Sequence, residues 1–343
     1  MKNWKLKPFA LFALTFFAVF LIGCSVDKTV DSAGNEITII GREAFSLFGW
    51  RSVYWYAIMI IIGLTFAFLF GLYIAGKIGF DKNALYDGFI YGALLGILGA
   101  RLWYVAFAWK EGNFTFLRIF TGFLDEEGGL AIHGAVIAAG IFAFFYARKR
   151  KLDIYKLGEM FAPGFLIGQI FGRWGNFFNQ EAHGGPIVNP DPGRLAETVA
   201  KGRAFLEKLG LPSFIVDQMY ITENGVTTYM HPTFLYESLW NFVGLLIILI
   251  VRRFSKKYWM GDAILFYLVW YGTGRFLIES IRTDALTFEL FGITFRTAQV
   301  VSIIMIIAGI TLFTLRRVFK VYPRSYIEIV DETKEAKSVV AEN

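Results

Sequence analysis

This sequence is short of charge for its length and has almost no cysteine. Asp, Glu, Lys and Arg make up 18% of its 343 residues, against 56% that are hydrophobic. A soluble chain of that length covers itself with far more charge. The single cysteine, Cys24, excludes an internal disulfide framework and a cysteine-based metal cluster. The three histidines, His133, His183 and His231, share no ligand-like spacing, so neither a metal nor another cofactor is expected. The glycine-rich segment Gly172–Gly185 lacks the Gly-Lys-Ser/Thr ending of a Walker loop. No internal repeat is evident, which argues against an inverted-repeat transporter. The net charge of +6 is spread between apolar runs rather than gathered in one patch, so nucleic acid is not an expected partner.

What the chain does have is apolar runs of helical length. They lie at about Val53–Ala75, Ala84–Ala108, Leu130–Ala147, Leu157–Phe171, Pro232–Val251, Ala263–Ile281 and Thr297–Leu315, near the ~20 residues that cross a bilayer core. Only helices or closed barrels satisfy a backbone in lipid, and these runs lack the alternation of barrel strands. The expected fold is an all-α polytopic membrane protein with about seven core transmembrane helices. An amino-terminal signal-like or anchor helix and a small external cap complete it. Lys77 and Lys82, Arg148–Lys151, Arg252–Lys257 and Arg316–Lys320 fall on one side if the spans alternate. That side is cytoplasmic. The expected divisions are 1–24 (lipoprotein-like signal or extra anchor), 25–50 (external segment), 51–320 (membrane domain, with an external loop at 186–230) and 321–343 (cytoplasmic tail). The tail is charged and low in aromatics, so it is expected to be disordered.

Ionisable groups inside spans are costly and mark function by default. Here they come as a set: Arg101 in "GARLWYV", His133 in "GGLAIHG", Arg173, Asn176, Asn179 and Glu181 in "GRWGNFFNQEAHGG", and Tyr271, Arg275, Glu279 and Arg282 in "YGTGRFLIESIR". On the expected topology all lie in the outer half of the membrane. Tyr271, Arg275, Glu279 and Arg282 share one helix face, as do Arg173 and Asn176 if the fourth helix persists there. Arginines grouped with tyrosine, asparagine and histidine suit a phosphate or another anion, because guanidinium forks bind its oxygens bidentately and stay charged on burial. Glu181 and Glu279 would orient the arginines, or one would act as a base. Alone, Arg275 and Glu279 would be only an ion pair, and His133 only a packing residue. Four spans delivering polar groups to one level outweigh those readings. A transporter or scramblase for an anionic lipid would share the arginines but need polar groups along a whole path, whereas the inner halves read as apolar. A phospholipid phosphatase would carry a metal-ligand set or a histidine nucleophile motif, and the sequence has neither.

These residues resemble a known family, the bacterial phosphatidylglycerol–prolipoprotein diacylglyceryl transferases. "GRWGNFFNQEAHG" fits its signature Gly-Arg-x-Gly-Asn-Phe-x-Asn-x-Glu-x-x-Gly at every fixed position. "YWYAIMIIIG", "GARLWYV", "GGLAIHG", "HPTFLYES" and "YGTGRFLIESIR" resemble further family elements in the same order, so the resemblance runs from about Phe45 to Arg317. The loop 186–230 and the first fifty residues depart from it. The resemblance implies transfer of the diacylglyceryl group of phosphatidylglycerol to the lipobox cysteine of a prolipoprotein, at the outer leaflet, with a thioether formed and glycerol phosphate released. It implies Arg173 and Arg275 as phosphate ligands and His133 as base or head-group ligand. Tyr56 and Tyr271 would position lipid oxygens, Asn176, Glu181 and Glu279 would hold the arginines, Asn179 would line the substrate site, and Gly184 would give the backbone room. Arg101 and Arg282 would complete the site.

Cys24 takes its meaning from that resemblance. Three lysines precede a short apolar run, Phe9–Ile22, that reads as a signal-peptide core. "Leu21-Ile22-Gly23-Cys24" resembles a lipobox, so Cys24 is expected to be a lipidation site rather than a catalyst. The alternative is an uncleaved extra helix ending in a chance cysteine.

Overall fold

A computed structural model of the chain describes residues 26–47, 51–109, 114–121, 129–290 and 292–342. Cys24 and the whole of the division 1–24 lie outside the described residues. Two antiparallel hairpins come first, β1 (Val26–Val30) with β2 (Glu36–Ile40) and β3 (Glu43–Leu47) with β4 (Arg51–Tyr54). The helices α1 (Trp55–Ile78), α2 (Lys82–Phe107), α3 (Phe116–Thr121), α4 (Ile132–Lys149) and α5 (Ile154–Asn179) follow. Next come α6 (Leu195–Lys208), α7 (Ser213–Gln218), the hairpin β5 (Tyr220–Glu223)–β6 (Val226–Tyr229), α8 (Thr233–Phe254) and α9 (Asp262–Glu279). A last hairpin, β7 (Thr287–Leu290)–β8 (Ile293–Arg296), leads into α10 (Thr297–Val318) and α11 (Tyr326–Glu342).

The fold is thus mostly helical, and α1, α2, α8 and α10 are long and apolar enough to cross a membrane. Two findings correct the sequence expectations. The chain is not purely α, because short extended stretches between turn residues pair as four hairpins. Asn224-Gly225 shows why: both residues adopt positive φ (51° and 79°), the backbone that a two-residue hairpin turn demands. Nor is the tail disordered, since α11 is a regular helix. Ser325 opens it with a capping box: the Glu328 N–H donates to Ser325 Oγ (3.1 Å) and the Ser325 N–H to Glu328 Oε2 (3.0 Å). Tyr326 and Ile329 are buried beneath it. Composition was outweighed by one cap and two apolar anchors.

The chain divides into two compact units. The first holds the described residues up to Ala67 together with Pro163–Ile250 and Leu265–Phe319. Its core joins Ile40, Trp55, Met59, Phe177, Phe178, Val199, Leu206, Val216, Tyr229 and Phe234. Trp55 stacks on Phe178 at 5.1 Å, so the start of α1 is fixed against the end of α5. The amphipathic α6 buries Thr198, Val199, Gly202 and Leu206 on one face. Two tryptophans join α8 to α9: Trp240 and Trp270 stack at 4.4 Å, and each indole N–H donates to the other's backbone carbonyl at 2.9 Å. A Cβ on Gly274 would come within 2.3 Å of the Trp240 ring and one on Gly244 within 2.4 Å of the Trp270 ring. Glycine is what makes both seats.

The second unit holds Phe68–Ala162, Val251–Ile264 and Lys320–Asn343. Asp81 caps α2 by accepting the Asn83 N–H (2.9 Å). Helices α2 and α4 pack at a close glycine contact, where a Cβ on Gly134 would lie 2.2 Å from the Gly99 carbonyl. A buried carboxylate, Glu159, accepts the Tyr258 hydroxyl (2.9 and 3.0 Å) and the Gly261 N–H (3.1 Å), with the Arg252 guanidinium 3.7 Å away. Arg252 lies over the rings of Phe70 and Tyr326. Glu159, near the start of α5, and Arg252, near the end of α8, are charges that burial tolerates because they are paired and hydrogen-bonded.

Candidate active site

Helix α5 runs into the glycine-rich segment as far as Asn179, so Arg173, Asn176 and Asn179 are all helical. At its end the chain turns sharply. Gln180 and Ala182 take positive φ (52° and 55°), an uncommon state for residues with a Cβ. Glu181 lies between them. Its Oε1 accepts Asn176 Nδ2 (2.9 Å) and Asn179 Nδ2 (3.3 Å), and Asn176 Oδ1 accepts Arg173 Nη1 (3.3 Å). Four residues expected from sequence form one hydrogen-bonded chain. A small pocket beside them is lined by Asn176, Glu181, His183 and Phe234.

The residue at the centre of the site was missed in the sequence. Glu237 lies in the first turns of α8, a helix whose first N–H bonds are accepted by the Pro232 carbonyl. Its side chain is 4% exposed, with Oε2 at 2.6 Å from Arg173 Nη2 and Oε1 at 3.1 Å from Arg275 Nη1 and 3.9 Å from Arg282 Nη1. One carboxylate thus gathers three arginines from α5 and from α9 with the loop after it. A signal existed: Glu237 is an ionisable group inside an apolar span, and the three arginines needed more acid than Glu279 and Glu181 supply.

The remaining members are arranged around this knot. Glu279 Oε2 lies 2.6 Å from Arg275 Nη2, one turn along α9, as an ion contact outside hydrogen-bond geometry. Arg296 donates to the Glu279 carbonyl, placing a cation at the C-terminus of α9 where the helix dipole favours it. Arg282 is forked onto Asp284 through Nε (2.8 Å) and Nη2 (2.6 Å). Burial opposes the charge on Asp284, yet Arg282 holds its carboxyl below the usual range. Arg173 and Arg275 keep side-chain exposures of 18% and 17%, whereas Arg282 keeps 9%. Gly184 N–H donates to the His231 carbonyl (3.0 Å), and Gly185 N–H to the Ile281 carbonyl (2.8 Å). A Cβ on Gly184 would lie 2.7 Å from His231 Cβ, so only glycine fits where these three segments meet. Tyr56 lies against Gly175. Tyr271 stacks on Tyr267 at 5.5 Å, and the Tyr267 hydroxyl accepts Gln169 Nε2 (2.8 Å).

Arg101 and His133 belong to the second unit. Arg101 is buried and donates to three carbonyls, those of Ile119 (3.0 Å), Gly129 (3.0 Å) and Arg118 (2.8 Å). It holds the connection between α2 and α4. His133 is the second residue of α4 and is exposed.

Comparison with known proteins identifies the family. Residues 42–315 match the family model described as prolipoprotein diacylglyceryl transferase. The chain is 39% identical over 286 residues to the phosphatidylglycerol–prolipoprotein diacylglyceryl transferase of Halalkalibacterium halodurans, covering 83% of this chain and 90% of that one. It is 41% identical over 298 residues to the protein of the same name from Listeria innocua, covering 86% and 96%. Against that of Staphylococcus aureus strain MSSA476 it is 38% identical over 299 residues, covering 86% and 96%.

Proposed function

The chain belongs to the prolipoprotein diacylglyceryl transferase family, and we propose that it transfers the diacylglyceryl group of phosphatidylglycerol to the lipobox cysteine of prolipoproteins through the Arg173–Glu237–Arg275 knot. The convergence of Arg173 and Arg275 on one buried carboxylate carries the assignment. Both guanidiniums are fixed by acids and both keep an accessible edge, which suits them to a phosphodiester arriving from the lipid. The thiol loses its proton to a base, for which His133 is the candidate. The thiolate then attacks the glyceryl carbon that bears the phosphate oxygen: the S–C bond forms, the C–O bond breaks, and glycerol phosphate leaves with the electron pair. Arg173 and Arg275 stabilise the charge on that leaving oxygen. Asn176, Asn179 and Glu181 align Arg173, Glu279 aligns Arg275, and Tyr56 and Tyr271 contact the lipid. Arg282, forked onto Asp284 beside Glu237, completes the arginine group, and Arg101 is bonded to backbone carbonyls.

The protein is a multi-pass bacterial membrane protein. In the proposed topology about seven core helices cross the bilayer, the segment 25–50 and the loop 186–230 form an external cap, and 321–343 is cytoplasmic. The basic residues that end α1, α4, α8 and α10 support that orientation, with the active site toward the outer leaflet. Cys24 is proposed to be lipidated.

Membranes carrying the protein, phosphatidylglycerol and a lipobox peptide test the reaction. Mass gain on the peptide sulfur with release of glycerol phosphate is expected, and release without gain would instead mean hydrolysis. Arg173→Ala and Arg275→Ala should each lose activity by about 100-fold or more while still inserting. Full activity in either removes it from the phosphate site.

A further inference from the structure

We propose that the amino-terminal hairpin β1–β2 braces the turn that carries Glu181, with Gln218 and Gln180 as the positioning residues that transmit the brace. The proposal rests on the reading of Arg173 as a phosphate ligand. The hairpin ends at Ile40, before the family match begins at residue 42, so nothing in that match assigns it a role.

One fully buried side chain holds the end of the hairpin. Ile40 N–H donates to Gln218 Oε1 at 2.8 Å, and Gln218 Nε2 donates back to the Ile40 carbonyl at 3.1 Å. The side-chain amide stands in for a neighbouring strand. The rest of the hairpin is anchored to the same group of elements. Thr38 N–H donates to Asp217 Oδ2 (3.1 Å). At the turn, Asp31 Oδ2 accepts the Tyr229 hydroxyl (2.9 Å), and Arg203 Nη1 donates to both Tyr229 (2.8 Å) and Asp217 (3.0 Å).

From Gln218 the connection runs into the active site. Its backbone carbonyl accepts Gln180 Nε2 at 2.8 Å. Gln180 is the first of the two positive-φ residues on either side of Glu181. Such a backbone is intrinsically unfavourable and persists only when its surroundings hold it. The turn it shapes aims Glu181 at Asn176, and Asn176 holds Arg173. The path from Ile40 through Gln218, Gln180, Glu181 and Asn176 to Arg173 is continuous, polar and confined to one compact unit. A hairpin in this place makes mechanical sense: it fixes a strained turn that glycine would otherwise be needed to form.

Gln180→Gly separates this role from general structural support. Glycine adopts the required φ without strain, so the variant should keep or raise its Tm. It nonetheless loses the contact with Gln218, and kcat should fall about 10-fold or more, with KM for phosphatidylglycerol changing by less than about 2-fold. Gln218→Leu should show the same fall in kcat. The double variant should be no slower than the slower single one, because both act along one path. Replacing residues 26–40 by a Gly/Ser linker of equal length in the whole chain should match Gln218→Leu. Unchanged kcat in Gln180→Gly overturns the brace, as do losses that multiply in the double variant. Arg173→Ala is measured alongside. If it stays active, the phosphate reading falls and the brace falls with it; if it is inactive while Gln180→Gly turns over normally, the brace alone is wrong.

Discussion

At the scale of single residues, Glu237 decides whether the arginine knot can exist. Removing one partner of a buried ion cluster leaves uncompensated charge and costs on the order of 3–5 kcal/mol. Glu237→Gln is nearly isosteric, so its effect is electrostatic: lower Tm in detergent, and a fall in kcat of about 100-fold as Arg173 and Arg275 move apart. A purification and activity assay of the variant checks both. Asp31 makes a separate prediction about pH. Burial opposes its charge, but hydrogen bonds from Asn35, Tyr229 and Ala33 hold its carboxyl below the ordinary value. A carboxyl depressed in the folded state contributes its full stability above the unfolded pKa of about 3.9 and loses it as pH falls through the lower folded value. Thermal melts across that acidic range should steepen for the natural chain and flatten for Asp31→Asn. At this scale the sequence made part of the hydrogen-bonded group legible. Arg173, Asn176, Asn179 and Glu181 stand out because polar side chains at helical spacing beside glycine are expensive in lipid. Glu237 was hidden because a single acid in an apolar helix reads as an isolated anomaly until its partners, distant in sequence, are known.

At the scale of elements, register between helices matters more than their existence. Hydropathy located the seven long apolar runs as helices, six of them to within a few residues at each end. It left open whether α5 continues from its apolar part into the polar motif, where tertiary hydrogen bonds hold it. It also gave no hint of the Trp240–Trp270 pair, which depends on glycines one helix away. That pair sets α8 against α9 near the point where Glu237 meets Arg275. Trp240→Phe and Trp270→Phe each remove one indole N–H and with it one hydrogen bond between the helices, at a cost of about 0.5–1.5 kcal/mol. The double variant should cost less than the sum of the two. A double-mutant cycle on Tm and on kcat measures that coupling, and strict additivity would mean the two bonds act independently.

At the scale of the whole molecule, both ends of the chain depart from the matched region 42–315. The carboxy-terminal helix was misread because composition counts charge and overlooks a capping box. The amino-terminal end carries Cys24, and the proposed lipidation there predicts a labelled protein. Metabolic labelling with a fatty acid should mark the natural chain and leave Cys24→Ala unmarked and of different apparent size. Equal labelling and equal size would mean an anchor helix instead. The bond between Ile40 and Gln218 spans 178 residues of sequence, and that separation becomes a delay during synthesis. At roughly 5–20 residues per second, Gln218 leaves the ribosome on the order of 10–40 s after Ile40. Throughout that interval the residues of the hairpin have left the ribosome while their anchor does not yet exist, so proteases, chaperones and modifying enzymes meet the front of this protein before Gln218 is there to hold it.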